Sequence, residues 1–323
     1  MLRILLSMGL IQLLTWMGAA GPVLIEEPAP ESQSTQEAAG IPSPVGQAEP
    51  PAKTEEEENV IEWHTDYGKA VRIAQAQQRM MFVEFQSNVN ATQRKFDAET
   101  LSDSAIRELL RRYVAVRLPL DVEITMAGAV SRLLDHPAFA DLKGQPGFAI
   151  IDYAHADTEF YGHVVTVLSF VPGKFYRFQP RHLAVVLDLP PGTLTQRTMV
   201  FAVRIHPEAP ASTKGELDPM LATEAKSHST YQARIRVQGH HHWGWRFPRL
   251  SRLLPRGLRA QEVVAESWPH EGLVDAAVDC VDSWRHSSGH WNAVRSRQPR
   301  FGYDMKRGGN GIWYATGLFG NRD

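Results

Sequence analysis

The sequence predicts an α/β protein in which an N-terminal segment without a core precedes two folded halves. From residue 59 onward, short apolar runs typical of buried strands alternate with helical repeats of apolar residues. The pattern changes near residue 190, where a proline-glycine turn precedes longer helices and a tryptophan-rich stretch. The length of 323 residues, with 43% hydrophobic and 22% charged residues, suits two soluble domains.

The N-terminal segment has the layout of a secretory signal. Residues 1–22 contain one charge, Arg3, followed by a long apolar run and small residues suited to cleavage. Residues 23–58 combine proline, glutamate and small polar residues with almost nothing to bury, which predicts a disordered linker. We therefore expect an exported protein in the periplasm, at the cell surface or secreted. An uncleaved N-terminal anchor is the alternative, and it would be the only contact with a membrane.

Charge and cysteine content exclude several classes of protein. The net charge of −2 gives no reason to expect nucleic acid as a partner. The single cysteine, Cys280, cannot form an intramolecular disulfide, and its place in a helical apolar pattern predicts a buried side chain. The chain is therefore not an extracellular domain stapled by disulfides.

Residues 59–190 predict a first domain of alternating helices and strands. The predicted order is a helix through Tyr67, Val71 and Ala74, a strand at 80–85, a helix capped by Ser102 or Asp103, a strand at 114–120, an irregular helical stretch, a strand directly after Pro146, a strand at 164–170 and a closing helix in "RHLAVVLDL".

This order, with a proline directly before the third strand, resembles the thioredoxin-like fold. In that family the proline, here Pro146, is cis and faces the redox motif at the start of a helix. The matching stretch in this chain, "QSNVNATQRKF", contains no cysteine. Dithiol exchange requires a thiolate nucleophile and a resolving thiol, so the resemblance predicts a support domain without redox activity.

Residues 191–323 contain a second set of motifs. A helix with His228 on its inner face is followed by "QGHHHWGWRF", the "EVVA" step, "WRHSSGHWNAV" and two late strands in "RFGYDM" and "GIWYATGLFG". This order resembles the CAP superfamily, which includes cysteine-rich secretory proteins, antigen 5 and plant pathogenesis-related proteins. The bacterial branch also lacks disulfides, and its Trp-x-x-Ser-x-Gly-His motif matches "WRHSSGH" at every fixed position. The resemblance implies a CAP-type αβα sandwich.

The CAP resemblance also implies a central cleft with two histidines and two acidic side chains. His290 matches the histidine of the Gly-His step. Glu262 matches the glutamate of the family's Glu-Asn-Ile-Ala step, although Val263 replaces the asparagine. Glu266 is the fallback for the same role, one helical turn further on.

The sequence does not decide which residue is the second histidine of the cleft or whether the cleft binds a metal. His240 is the favoured second histidine and His242 the next, while the second acidic position falls at Ser287, which is not acidic. Two imidazoles and a carboxylate can bind a divalent ion at about 2.0–2.2 Å, so His240, His290 and Glu262 form a candidate zinc site. The same side chains could instead form a hydrogen-bonded cluster without a metal.

Six of the eight tryptophans lie between residues 243 and 313. Trp284 and Trp313 fit apolar patterns and are predicted to lie in the core. Trp243, Trp245 and Trp291 flank the histidines and are candidates to line a groove for a sugar, peptide or lipid.

We therefore expect an exported binding protein whose cleft takes an envelope component or an extracellular small molecule. The alternative is a metal-dependent hydrolase with Glu262 as general base and the histidines as ligands. A third interpretation is an interaction module whose histidines only lock loops. No G-x-S-x-G elbow supports a serine hydrolase, and Ser287, Ser288 and Gly289 are expected to close a helix. The basic stretch 246–259 is expected to be a solvated loop and helix face, and an anionic surface polymer is its alternative partner.

Overall fold

The computed structural model describes residues 61–322, except residues 88 and 127–128. The predicted secretory signal and linker lie outside the described residues. The described chain is mixed α/β and is built on two main open sheets that pack against helices. Within it, no helix combines the length and the apolar character that crossing a bilayer requires.

The first half is built on a five-stranded sheet. Its elements are β1 (Trp63–His64), α1 (Tyr67–Gln77), β2 (Met81–Gln86), α2 (Ala91–Lys95), α3 (Ser104–Leu110), β3 (Val114–Pro119), β4 (Glu123–Met126), β5 (Ala129–Arg132), β6 (Gly147–Ile151), β7 (Val164–Ser169) and α4 (Pro180–Leu187). The strand order is β1-β3-β2-β6-β7. β1 and β2 are parallel to β3, whereas β6 is antiparallel to both β2 and β7.

The structure confirms the four strands predicted in this half. Their apolar runs are recognisable in the sequence because most of these residues are buried on both faces of the sheet. Asp103, rather than Ser102, caps α3 by accepting from the N–H of Ile106. Two features differ from the expectation. The β4–β5 hairpin falls in the stretch expected to be only irregular helix, and the described residues contain no cis peptide bond, so Pro146 is trans.

The second half is built on a four-stranded sheet. Its elements are α5 (Leu194–Ile205), β8 (Glu216–Leu217), α6 (Pro219–Ile235), α7 (Trp243–Leu253), β9 (Arg259–Glu266), α8 (Leu273–Arg285), α9 (Ser288–Arg295), β10 (Arg300–Arg307) and β11 (Trp313–Asn321). The strand order is β8-β10-β11-β9. α6 packs on β10 and β11, and α5 and α8 pack against each other as well as against the sheet.

Side-chain alternation along β10 explains how the helices sit. Phe301, Tyr303 and Met305 belong to the core shared with α8. Gly302 points the other way, and a Cβ placed there would lie 2.3 Å from the backbone nitrogen of Ala222. α6 can therefore approach the strand backbone closely, which brings the inner face of α6 next to the sheet.

The two halves share a continuous core through α5, which contacts both β7 and β10. Arg197 on α5 is buried and donates to the carbonyl oxygens of Val186, Leu189 and Pro190 at 3.3, 3.0 and 2.9 Å. These bonds satisfy the guanidinium and attach the connecting segment near residue 190 to α5.

The core positions predicted around the motifs are confirmed. Trp284 and Cys280 are fully buried on α8, and Trp313 is buried on β11. Burial raises the pKa of the Cys280 thiol far above its usual value, so this residue packs as a small hydrophobe and is not a reactive thiolate.

Candidate functional site

A cluster of polar side chains surrounds Glu262 on β9. Glu262 pairs with Leu318 of β11 across the sheet, and its side chain is only 1% exposed. Its strand neighbours Val263 and Ala265 belong to the apolar core. A buried carboxylate is costly unless cations or hydrogen-bond donors compensate it, so the partners of Glu262 define the site.

Three side chains meet the Glu262 carboxylate. Arg246 Nη1 lies 2.6 Å from Oε2, and His240 Nδ1 lies 3.1 Å from Oε1. His228 Nε2 is 3.8 Å from Oε1 and 3.0 Å from the carbonyl oxygen of Gly239. Neither Arg246 Nη1 nor Glu262 Oε2 has an aligned hydrogen-bond partner. The contact between them is therefore an ion pair held by charge rather than a directed N–H···O bond.

His240 links this carboxylate to His290. The Nε2 atoms of the two rings are 3.2 Å apart, and the ring centroids are 5.4 Å apart. A neutral His240 that donates from Nδ1 to Glu262 has an acceptor at Nε2, so the hydrogen bond between the rings needs His290 to donate. Burial, followed by the charge that His240 can acquire, lowers the pKa of His290, while Glu262 acts in the opposite direction.

A sharp corner between two helices positions His290. α8 ends at Arg285, and α9 begins at Ser288 with Ser287 in the N-cap position, so His290 lies in the first turn of α9. The expectation that Ser287, Ser288 and Gly289 close a helix is therefore wrong. They open the second helix, and Gly289 lies within it, because the chain turns at His286 and resumes helical geometry at once.

Sequence reasoning missed two members of the cluster, His228 and Arg246. His228 was placed correctly on the inner face of its helix but was not connected with the site. Arg246 was assigned to the solvated basic stretch, yet its side chain is only 8% exposed. α7 packs against β9 and turns Arg246 toward it. The sequence signal for this burial is a charged residue placed among the inward-facing apolar positions of an amphipathic helix.

Three predicted residues are not assembled into the cluster. His242 is exposed and pairs with the Tyr231 hydroxyl at 3.1 Å. Glu266 is exposed at the end of strand β9. In a strand, a spacing of four residues corresponds to roughly 13 Å, so Glu266 is not next to Glu262 as it would be in a helix. Ser287 is half-buried, and its side chain makes no capping hydrogen bond.

The flanking tryptophans do not form one groove. Trp291 is buried, with its ring centroid 4.8 Å from that of His206 and its indole N–H donating to Glu208 at 3.0 Å. Trp243 is half-buried against Phe247. Only Trp245 is strongly exposed, at 67%. Trp291 is thus a packing residue, because the helix turns its indole away from the His290 ring.

The cluster does not fit a three-ligand metal site. The described residues contain no group of three or more histidine, cysteine, aspartate or glutamate side chains arranged to hold a metal ion. His240 approaches Glu262 through Nδ1 and His290 through Nε2, so the carboxylate and the second imidazole lie on different sides of its ring. Glu262 thereby orients His240 rather than sharing a ligand position with His290.

Comparisons with known proteins give weak similarities only. Neither models of protein families nor curated proteins match this chain. Among solved structures, the chain is similar to an outer surface protein from Borrelia burgdorferi, with 20% identity over 34% of this chain and 78% of that chain, at a TM-score of 0.28. It is also similar to a thioredoxin from Thermus thermophilus, with 25% identity over 28% of this chain and 63% of that chain, at a TM-score of 0.20. At these scores, neither similarity supports an argument about function.

Proposed function

We propose that this chain is an exported bacterial binding protein. Its second half is a CAP-type sandwich with a cleft around His240, Glu262 and His290 that takes an envelope component or an extracellular small molecule. Its first half is a thioredoxin-like domain that supports the second half and performs no redox chemistry.

The convergence of three separate elements at His240 carries this proposal. The loop after α6, strand β9 and the first turn of α9 contribute His240, Glu262 and His290, which form one hydrogen-bonded chain. His240 is 43% exposed, whereas the carboxylate behind it is buried. A half-exposed imidazole that a buried carboxylate holds in one orientation is a preorganised hydrogen-bonding group for a polar ligand.

The architecture of the first half supports the assignment of a support role. Its mixed five-stranded sheet has the order β1-β3-β2-β6-β7 and shares a core with the second half through α5. The only cysteine of the chain is the buried Cys280 of the second half. Thiol exchange therefore has no nucleophile in residues 59–190.

We expect a soluble extract of bacterial cell envelope to raise the melting temperature of the protein, because a ligand that binds only the folded state stabilises it. A hundredfold excess over Kd corresponds to about 2.7 kcal/mol. Differential scanning fluorimetry on fractions of the extract measures the shift. His290→Ala should abolish it, whereas His286→Ala should retain it, since His286 is exposed outside the cluster and its ring pairs with the carbonyl oxygen of Asp282. Equal shifts in all three proteins would rule out this cleft.

A metal-dependent hydrolase is the second candidate, and the facing Nε2 atoms of His240 and His290 favour it. Two imidazole nitrogens 3.2 Å apart could both bind one divalent ion. The position of Glu262 argues against it as the general base. One of its oxygens lies against Arg246 and the other against His240, and the side chain is buried. No carboxylate oxygen is thus directed at a water between the histidines.

We expect zinc to bind only weakly, with a dissociation constant well above micromolar. Catalytic zinc sites supply three protein ligands, and only two imidazoles face each other here. Isothermal titration calorimetry of the tag-free protein, repeated on His290→Ala, measures this. A one-to-one signal at micromolar concentration or tighter that disappears in His290→Ala would instead support the hydrolase. Turnover should then fail in Glu262→Gln while the fold survives.

A further inference from the structure

The outward face of α7 combines arginines with exposed apolar side chains, and no role in the cleft explains it. Residues 225–261 contain seven arginines and no aspartate or glutamate, although the whole chain has a net charge of −2. α7 lies in the middle of this stretch. Glu224 and Glu262 border this stretch and pair with Arg249 and Arg246, so two of its seven arginines are compensated by ion pairs.

The helical repeat sorts the residues of α7 into two faces. Leu250 is buried, and Trp243 and Phe247 are half-buried in the small apolar cluster between α7, α6 and β9. Trp245 and Arg252 lie on the opposite face, because a spacing of seven residues returns to one side of a helix, and Leu253 is exposed at the C-terminal end of α7. The inner face fixes α7 to the protein, so the outer face is presented as a rigid surface.

The outer face exposes apolar area that a solvated helix has no need to expose. Trp245 is 67% exposed and Leu253 is 57% exposed. The guanidinium of Arg249 lies over the Trp245 ring at 5.3 Å and also pairs with Glu224. The indole therefore combines an exposed apolar ring with a neighbouring cation, and tryptophan is enriched at membrane–water interfaces.

Two arginines, Arg252 near the end of α7 and Arg256 in the turn after it, are exposed to solvent. Neither forms an ion pair with another residue in the described part of the chain. The Arg252 Nε–H donates to the carbonyl oxygen of Pro248, a bond that does not neutralise the guanidinium. An anionic surface would complement both charges.

We propose that Trp245, Arg252 and Leu253 of α7, together with Arg256 in the turn that follows the helix, dock on a membrane that contains anionic phospholipids. Arginines beside an exposed tryptophan and leucine fit the chemistry of a lipid interface, where the cations meet headgroups and the apolar groups enter the acyl boundary. A soluble polyanion would need only the cations. The contact lies outside the N-terminal segment, which was expected to be the only membrane contact, and outside the His240–His290 cleft.

Cosedimentation of the full chain with vesicles tests the proposal. We expect tighter binding to vesicles of phosphatidylcholine containing phosphatidylglycerol than to vesicles of phosphatidylcholine alone, and added salt should remove the difference. Arg252→Gln combined with Arg256→Gln should weaken binding to the anionic vesicles roughly 25-fold, from about 1 kcal/mol for each arginine. Trp245→Ser should also weaken it. The N-terminal segment is the same in every variant, so it cannot cause these differences.

Two matched variants control for charge and for aromatic content. Arg72→Gln with Arg297→Gln removes the same charge from exposed positions elsewhere, and Trp268→Ser removes another strongly exposed tryptophan. Both should bind like the parent protein. Equal binding of the parent to the two kinds of vesicle, or an equal loss in the charge control, would overturn the proposal. Binding to heparin with no effect of Trp245→Ser on vesicles would overturn it in favour of a soluble polyanion.

Discussion

Replacing Arg246 with methionine should lower the free energy of unfolding by about 3–5 kcal/mol, because the buried Glu262 carboxylate loses its arginine partner and keeps only the two histidines beside it. The Glu262 carboxylate is 1% exposed, and Arg246 lies 2.6 Å from it. Methionine fills much of the same volume but supplies no cation. Urea unfolding followed by circular dichroism and tryptophan fluorescence measures the loss.

A second substitution separates loss of charge from loss of packing. Adding Glu262→Leu to Arg246→Met removes the unpaired carboxylate, so the double variant should recover part of the stability that the single variant loses. Arg249→Met is the matched control on the same helix. Its partner Glu224 is more exposed than Glu262, and a pair near the surface contributes about 1 kcal/mol or less. A single Arg246→Met variant within about 1 kcal/mol of the parent would contradict the role assigned to this ion pair.

His228 should make the protein sensitive to acid. Burial, together with the nearby charges of Arg246 and His241, lowers the pKa of His228 to about 4. The Glu262 carboxylate acts in the opposite direction. The folded state therefore binds this proton less readily than the unfolded state, in which the pKa is 6.5. The stabilisation is fully present above pH 6.5 and is lost as the pH falls toward 4, which amounts to about 3 kcal/mol.

Unfolding at a series of pH values between 4 and 7 tests this expectation. His228→Gln retains an N–H donor for the carbonyl oxygen of Gly239 but has no titrating group, so its stability should fall less steeply on acidification.

Asp304 provides a control whose pH dependence has the opposite sign. Burial raises its pKa to about 6, against hydrogen bonds from Thr195 and Ser229, so its contribution is present at pH 4 and is lost as the pH rises through 6. Asp304→Asn should remove that opposite trend, and parallel profiles for His228→Gln and the parent would refute the assignment.

Periodicity predicted most helices and strands because burial imposes a repeat on the sequence. The apolar runs at 80–85 and 164–170 are strands, and His228 lies on the buried face of α6, as its helical spacing predicts. The hairpin at Glu123–Met126 and Ala129–Arg132 was missed. Its second strand is exposed or half-exposed, so it has no apolar alternation from which it could have been predicted.

The residues of the cluster show a similar division. His240, Glu262 and His290 were selected from motifs far apart in the chain, and they meet at hydrogen-bonding distance. Glu266 was chosen as an equivalent of Glu262 on the assumption of a helix. In a strand, the same spacing of four residues places it at the exposed end of β9. Spacing alone cannot distinguish these cases, because the distance it represents depends on the element.

The sequence by itself determined the mixed α/β class and the choice of two histidines and one glutamate as candidates. These conclusions depend only on residue type and local repeat. Only the tertiary structure decided which other side chains surround His240, Glu262 and His290. It turned Arg246 inward and Trp245 outward on consecutive positions of one helix, buried Trp291 and brought His228 toward the carboxylate. Burial and pairing depend on how elements distant in sequence pack together, and a single sequence contains no direct record of that packing.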